Sequence, residues 1–174
     1  MAETAVEIRR LRSADLAAYK ALRDASLADD PTAFTSDAES ESRKPAEAYL
    51  PRLGIDAPLG GVFTLGALRD GMLVGAVSCE RDMRIKVRHI GHVVGMMVRT
   101  DQRGHGIGRL LVDACIAQAR ESVGVEMLTL TVTASNGGAV RLYERAGFHR
   151  YGSLPQAIKV DGRYHAKDQM VLML

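Results

Sequence analysis

The sequence predicts an α/β (α+β) fold in a single domain over residues 1–174, with a mixed sheet flanked by helices. Two short apolar runs surround Asp70-Gly71, and this dipeptide favours the tight turn of an antiparallel hairpin. Between residues 90 and 133 a strand, a helix and a second strand follow one another, which is typical of a crossover between parallel strands. The length of 174 residues suits one domain, and no repeat or long linker divides the chain.

The N-terminal third of the chain predicts one strand and two helices separated by a polar connection. Residues 5–12 alternate weakly between apolar and polar and indicate the first strand. Ser13 is a favourable N-cap for a helix over about 14–28. Residues 29–44 are polar and acidic and predict a mobile loop. A proline then opens a short helix over about 45–53.

The rest of the chain predicts six strands and two helices. The strands are expected near residues 62–68, 72–79, 90–98, 127–133, 148–154 and 168–173. A helix over about 106–122 has one apolar stripe at helical spacing, formed by Ile107, Leu110, Leu111, Ala114 and Cys115. A shorter helix over about 138–145 ends before Gly147. The predicted order is therefore β-α-α-β-β-β-α-β-α-β-β.

Composition argues against several classes of protein. Basic and acidic residues nearly balance, 23 against 21, so bulk charge does not indicate a nucleic-acid partner. No apolar run approaches the ~20 residues that a membrane helix needs, and the acidic N-terminus is unlike a signal peptide, so we expect a cytoplasmic protein with no membrane partner. Cys79 and Cys115 lie in apolar patterns without metal-ligand spacing. We expect both to be reduced and buried, and we expect no metal site.

A glycine-rich segment joins the strand near 90–98 to the helix that follows it. Three glycines stand at alternate positions, namely Gly104, Gly106 and Gly108. Backbone N–H groups exposed at a helix N-terminus form a favourable phosphate site. The spacing does not fit a P-loop or a dinucleotide fingerprint, because Arg109 and Leu111 stand where the last glycine of the fingerprint would be. Residues 84–109 hold six basic residues and one acid, which favours phosphate, although a glycine turn with a solvated basic edge is the alternative.

Two motifs carry a resemblance to the Gcn5-related N-acetyltransferase (GNAT) family. Arg103-Gly-His-Gly106-Ile-Gly108 resembles the Arg/Gln-x-x-Gly-x-Gly/Ala motif of that family. The segment from Asn136 through Ala139 and Leu142-Tyr143-Glu to Gly147-Phe148 resembles its Asn…Ala…Leu-Tyr-Glu…Gly-Phe signature. The resemblance covers nearly the whole chain and is strongest from 90 to 150. It implies a mostly antiparallel sheet splayed between the fourth and fifth strands, here 90–98 and 127–133.

The resemblance implies an acyl-CoA-dependent N-acyltransferase. Such an enzyme would move an acetyl group from acetyl-CoA to a primary amine of a small molecule or peptide by direct transfer, without a metal. Its partners would be acetyl-CoA and the amine acceptor, and exposed terminal strands are compatible with a homodimer. The alternative is a CoA-binding regulatory or catalytically lapsed module. A basic-edge nucleic-acid domain is disfavoured, because residues 84–109 contain no aromatic side chain to stack on bases.

The resemblance assigns the cofactor contacts to the end of one strand and the loop that follows. The pantetheine arm would lie along Met96–Val98, and the pyrophosphate would lie on the backbone N–H groups of residues 103–108. The complete expected set is Met96, Met97, Val98, Arg103, Gly104, His105, Gly106, Ile107, Gly108, Arg109 and Asn136. For Asn136 a helix N-cap or an Asx turn is the alternative role, because asparagine suits that position on propensity alone.

The resemblance implies one catalytic acid and leaves several candidates for the catalytic base. Tyr143 stands at the position of the family's acid and would protonate the CoA sulfur, and packing under the short helix is its alternative role. Some members carry a glutamate base where this chain has Thr131. His92 matches the position of the glutamate in histone-type members, Glu80 is a second candidate, and water alone could also take the proton.

Two segments are expected to lie near the amine acceptor. Residues 29–44 and 155–167 would border the acceptor side of the sheet. The first of these segments carries five acids that could attract a cationic amine, and a solvated acidic loop is the plainer interpretation. The acids are Asp29, Asp30, Asp37, Glu39 and Glu41.

Overall fold

A seven-stranded sheet and four α-helices form within residues 5–174, the part of the chain that this computed structural model describes. The strands are β1 (Glu7–Arg10), β2 (Phe63–Arg69), β3 (Met72–Arg81), β4 (Ile90–Val98), β5 (Met127–Thr133), β6 (His149–Val160) and β7 (Arg163–Met173). The α-helices are α1 (Leu16–Asp29), α2 (Ala38–Ser42), α3 (Ile107–Arg120) and α4 (Gly137–Arg145), and Ala46–Leu53 forms a 3-10 helix. The predicted order of elements is confirmed, with α2 as an addition.

The sheet has the order β1-β2-β3-β4-β5-β7-β6, and β4 with β5 is its parallel pair. That pairing is short, running from Ile90 opposite Met127 to His92 opposite Thr129. Beyond His92 and Thr129 the two strands separate, although β5 continues to pair with β7 as far as Thr133. The mixed, mostly antiparallel and splayed sheet is therefore confirmed, and the splay begins at this register.

The main core lies between α3 and one face of the sheet. Ile107, Leu111 and Cys115 are each at most 1% exposed, because they repeat at helical spacing on the face of α3 that meets the sheet. Leu110, predicted on the same stripe, is 45% exposed and lies off it. Both cysteines are free and buried, and burial raises the pKa of the Cys79 thiol to about 12.

The C-terminal hairpin is longer than predicted. β6 continues to Val160 and β7 begins at Arg163, so most of 155–167 is strand rather than a connection between two short strands. Asp161 and Gly162 form the turn, with φ of +48° and +77°. An Asp-Gly pair in the left-handed region fits the tight turns that match the twist of paired strands.

Residues 29–44, predicted as a mobile loop, contain α2 and the acidic partner of a buried ion pair. Asp37 accepts a hydrogen bond from the backbone N–H of Ser40 at 2.8 Å and so caps α2. Glu41, on the inner side of α2, is 5% exposed and lies 3.0 Å from Nε of Arg23. Tyr49 of the 3-10 helix donates to the same carboxylate at 2.6 Å. The carboxylate thus ties α1, α2 and the 3-10 helix together.

The charge of Glu41 gives the fold a defined dependence on pH. Burial opposes ionisation, but hydrogen bonds from Lys44, Tyr49 and Arg23 outweigh it and lower the pKa from 4.5 to about 2. Because the pKa is lower in the folded state, the ionised group contributes stability above about pH 4.5 that is lost as the pH falls toward about 2.

We expect Glu41→Gln to lower the free energy of unfolding at neutral pH by about 3 kcal/mol, because Arg23 then keeps a buried charge without its partner. Denaturant unfolding of the variant and of wild type should converge as the pH is lowered toward about 2. Glu39→Gln is the matched control, since Glu39 is 78% exposed and pairs with Arg43 in solvent. An equal loss of stability in both variants would contradict this account.

Candidate functional site

The loop between β4 and α3 places two glycines in the left-handed region. Gly104 and Gly106 have φ of +81° and +76°, and a Cβ at either position would meet no atom within 4 Å. Gly106 is the N-cap of α3, so the free N–H groups of the first turn of that helix begin at this point. Open space next to unpaired N–H groups and a helix N-terminus is the arrangement that suits a phosphate.

A cavity of about 870 Å³ lies between this loop, the end of β4 and α4. Its lining includes every residue of the predicted cofactor set except His105, namely Met96, Met97, Val98, Arg103, Gly104, Gly106, Ile107, Gly108, Arg109 and Asn136. His105 is exposed, and its Nδ1 lies 3.3 Å from the carbonyl oxygen of Gln102. Two residues of this set bury their side chains in the core, Ile107 at 1% and Met97 at 4% exposed.

The positive charge of this cavity comes from two segments of the chain. Arg103 forms an ion pair with Asp30, and its Nε donates to the carbonyl of Val98 at 3.1 Å. Sequence reasoning missed Arg141 and Arg145, which also line the cavity. They lie four residues apart on α4 and therefore on one face of that helix. This spacing is the sequence signal for a basic face, but it indicates a phosphate site only when α4 is known to lie beside the glycine loop.

The predicted basic window over 84–109 is divided by the fold. Arg84, Lys86 and Arg88 precede β4, whereas the glycine loop follows it. A nine-residue strand spans about 30 Å, so these three side chains lie at the far end of β4 from the proposed phosphate site. The net charge of the window was therefore a poor guide to the charge of the cavity.

A second, smaller cavity of about 290 Å³ lies in the splay between β4 and β5. Met96, Ala139 and Leu142 line both cavities, so the two are neighbours. Gly95 stands in the wall of the smaller cavity with φ of +60°, where the register of β4 against β3 shifts by one residue. This bulge bends β4 at the point where β5 has already separated from it.

Tyr143 extends from α4 into the wall of the smaller cavity. Its ring is 7% exposed and packs edge to face against Phe148, with 5.9 Å between ring centroids. The hydroxyl has no hydrogen-bond partner among residues 5–174. Burial raises the pKa of Tyr143, so the phenol is protonated at neutral pH. This position is compatible with both predicted roles of Tyr143, as an acid that protonates the CoA sulfur and as an aromatic ring packed under α4.

Asn136 is the N-cap of α4. Its side-chain oxygen accepts a hydrogen bond from the backbone N–H of Ala139 at 3.1 Å, as one of its two alternative roles predicts. It also lines both cavities, so its amide can reach a ligand while its oxygen caps the helix. A contact to pantetheine stays a prediction.

The candidate bases lie outside both cavities. His92 is exposed at the end of the β4–β5 pairing, with Nδ1 2.7 Å from Oγ1 of Thr129. Glu80 is half-exposed and forms an ion pair with Arg52 at 2.9 Å. It lines a third cavity, of about 590 Å³, which shares Arg23 and Arg52 with the cavity in the splay. Thr131 lines the splay cavity itself.

The acids of 29–44 do not line the splay cavity, contrary to the hypothesis that they attract a cationic amine there. Asp29 accepts a hydrogen bond from Thr100 at 2.8 Å, and Asp30 pairs with Arg103, so both lie on the side of the glycine loop. The other three are held within their own segment or by its neighbours, namely Asp37, Glu39 and Glu41. The charged residues that line the splay cavity are instead basic.

Within residues 5–174, no group of three or more His, Cys, Asp or Glu side chains is arranged to hold a metal ion. In the same range, no helix has both the length and the apolar character needed to cross a bilayer.

Comparison with known proteins agrees with the geometry. The model of the Acetyltransferase (GNAT) family matches residues 20–148. N-alpha-acetyltransferase 30 of Schizosaccharomyces pombe is 29% identical over 92 residues, which cover 53% of this chain and 61% of that protein. The chain thus spans less than two thirds of the length of the first curated relatives it matches.

Solved structures match over almost the whole chain. A GNAT-family acetyltransferase from Streptococcus pneumoniae has a TM-score of 0.88 and 28% identity, covering 98% of this chain and 100% of that one. A Salmonella typhimurium protein solved with its cofactor acetyl-CoA has a TM-score of 0.84 at 22% identity, with 98% and 95% coverage, and supports the fold. By its matching family model, its splayed sheet and its glycine-loop cleft, the chain belongs to the Acetyltransferase (GNAT) family.

Proposed function

We propose that this protein transfers the acetyl group of acetyl-CoA directly to a primary amine of a small molecule or peptide. One observation carries the proposal: the cleft beside the glycine loop and the cavity beside Tyr143 adjoin along Met96. A donor bound in the larger cavity can therefore present its thioester to an acceptor in the smaller one. The relatives that are named N-alpha-acetyltransferases support the same reaction class.

The residues of the larger cavity fit the chemical parts of acetyl-CoA. The open space before Gly104 and Gly106 admits a pyrophosphate to the N–H groups at the start of α3, where the helix dipole adds about 1 kcal/mol. Arg141 and Arg145 supply further positive charge on the opposite wall. The separation of β4 from β5 leaves a strand edge near Met96 and Val98 along which amide groups of pantetheine can pair.

Acetyl-CoA supplies a thioester whose carbonyl carbon is attacked by a neutral amine nitrogen, with loss of CoA thiol. We expect backbone N–H groups near Met97 to donate to the carbonyl oxygen and so stabilise the charge that develops on it. Tyr143 is protonated and its hydroxyl has no partner among residues 5–174, so it can give its proton to the departing sulfur. The tyrosine then recovers a proton from solvent or from the acceptor nitrogen.

The proton of the acceptor ammonium must leave before attack, and the candidate bases can act only through water. His92 lies where the splay opens, and Glu80 lies on the neighbouring strand β3, directly opposite His92 in the register. Because neither lines the splay cavity, we propose a relay through water to His92, with Glu80 as the second candidate.

We expect His92→Gln to remove the acidic limb from the pH profile of kcat/KM and to lower kcat/KM at neutral pH about 100-fold, because the base must be deprotonated to accept the proton. Steady-state kinetics between acidic and neutral pH measure both effects. His149→Gln is the matched control, an exposed histidine on β6. If the His92→Gln variant keeps the acidic limb of the kcat/KM profile, that limb belongs to another group. Glu80→Gln is then the next variant to measure.

A thiol-release screen tests the proposed function. The purified protein is incubated with acetyl-CoA and a panel of polyamines, aminoglycosides, amino acids and N-terminal peptides, and free CoA is measured. Calorimetry with acetyl-CoA is run in parallel. Binding of acetyl-CoA without thiol release from any amine would favour the catalytically lapsed module, and no heat at near-millimolar acetyl-CoA would overturn the cofactor assignment.

A further inference from the structure

The splay cavity has a cationic wall. Its lining contains three charged residues of the described chain, Arg23, Arg52 and Lys167, and no carboxylate. Arg23 and Lys167 are 5% and 8% exposed, so their charges are held away from bulk water. Burial of cations is costly unless an anion lies close to them.

The two arginines are fixed by contacts that hold one nitrogen of each, Nη1, near the bulge. Nε of Arg23 lies 3.0 Å from Glu41 and its Nη2 donates to Ser36. Nη2 of Arg52 lies 2.9 Å from Glu80, and its Nη1 donates to the hydroxyl of Tyr19 at 3.3 Å. A Cβ on Gly95 would lie 3.5 Å from Nη1 of Arg52 and 4.0 Å from Nη1 of Arg23. Both guanidinium groups therefore reach the wall of the cavity in rigid positions.

Lys167 has no anionic partner among residues 5–174. Its Nζ donates to Oγ1 of Thr35 at 3.2 Å, and no carboxylate of residues 5–174 lies within ion-pair distance of it. Burial lowers its pKa, which is the direction expected when a charged amine loses water without gaining a counter-ion. A ligand with a negative charge would supply the missing partner.

We propose that the amine acceptor carries a carboxylate close to its amine, and that Lys167 binds this carboxylate together with Arg23 and Arg52. The inference rests on the proposed function, since it concerns the acceptor of that reaction. The cavity of about 290 Å³ is small, which favours a compact acceptor of amino-acid size over a long peptide or polyamine. The basic wall also disfavours a protonated amine nearby, so it helps to keep the attacking nitrogen neutral.

The first test uses wild-type protein and pairs of acceptors. Thiol release from acetyl-CoA is measured for the standard L-amino acids, for their α-carboxamides and for the corresponding amines without a carboxyl group. For the best amino acid we expect kcat/KM to be about tenfold to a hundredfold higher than for its amide, because the amide cannot pair with a buried cation. The difference should appear mainly in KM.

The second test asks whether Lys167 carries this preference. In Lys167→Gln the ratio of kcat/KM between acid and amide should fall about tenfold, whereas Lys167→Arg should restore most of it. Lys86→Gln, at an exposed lysine outside these cavities, is the control and should keep the wild-type ratio. Calorimetry with acetyl-CoA shows whether each variant is folded and binds the donor.

The outcomes separate this inference from the proposed function. Acetylation of polyamines or neutral amines alone, or equal rates for acids and amides, would overturn the carboxylate inference and leave the N-acetyltransferase intact. A wild-type ratio in a folded Lys167→Gln variant would also overturn it. If no amine of any class releases thiol although acetyl-CoA binds, the proposed function itself fails, and the inference fails with it.

Discussion

Replacement of Tyr143 by phenylalanine is expected to lower kcat about 100-fold while the affinity for acetyl-CoA stays unchanged. The ring packs against Phe148, and phenylalanine keeps that contact. The hydroxyl has no partner among residues 5–174, so its removal leaves no buried group unsatisfied and should not lower stability. The loss in kcat would therefore report chemistry rather than folding.

Thiol-release assays measure kcat, and calorimetry with acetyl-CoA measures the affinity for the donor in the same preparation. Tyr151→Phe is the control, because Tyr151 is 59% exposed on β6 and should behave as wild type. If Tyr143→Phe keeps the wild-type kcat, the tyrosine only packs under α4 and the sulfur takes its proton from elsewhere.

Replacement of Gly106 by valine is expected to weaken the binding of acetyl-CoA. Gly106→Val places a β-branched residue at φ +76°, which costs about 1–2 kcal/mol in backbone strain. The added side chain would also stand in the open space that we assign to the pyrophosphate. We expect the affinity for acetyl-CoA to fall about tenfold to a hundredfold, the value of one or two charge-assisted hydrogen bonds.

Gly162→Val separates strain from binding. Gly162 has φ of +77°, and a Cβ there would also meet no atom within 4 Å, but it lies in the β6–β7 turn. Both variants should lose similar stability in denaturant unfolding, and calorimetry should show weakened acetyl-CoA binding in Gly106→Val alone. If both variants bind acetyl-CoA with equal affinity, the assignment of the pyrophosphate site to the glycine loop is wrong.

The sequence predicts the sheet well where local signals and burial agree. The alternating threonines of β5 predict a strand at the observed residues, and the apolar residues that run up to the glycine loop predict β4. The C-terminal hairpin is longer than its sequence predicts, although Asp161-Gly162 repeats the signal of Asp70-Gly71. Pro155 interrupts the strand pattern, and the structure accommodates it where the β6–β7 register shifts, so pairing continues beyond it.

The candidate site is predicted only in part, because charge along the chain differs from charge in space. Glu41 lies in an acidic stretch that looks solvated, yet an arginine from α1 and a tyrosine from the 3-10 helix bury it. Lys167 has an ordinary sequence context, and its burial follows from the position of β7 beside β5. Such pairings depend on contacts between distant segments, which no local pattern contains.

The opening between β4 and β5 also links the stability of the protein to its acyl donor. Strand edges without a partner usually lie at the rim of a sheet, but here two of them lie in its interior, beyond His92 and Thr129. In the proposed complex a bound pantetheine arm pairs with the part of the β4 edge near Met96 and Val98. A ligand that binds only the folded chain stabilises it by about 2.7 kcal/mol at a hundred times its Kd. The amount of folded protein in a cell would then follow the supply of acetyl-CoA as well as the rate of synthesis.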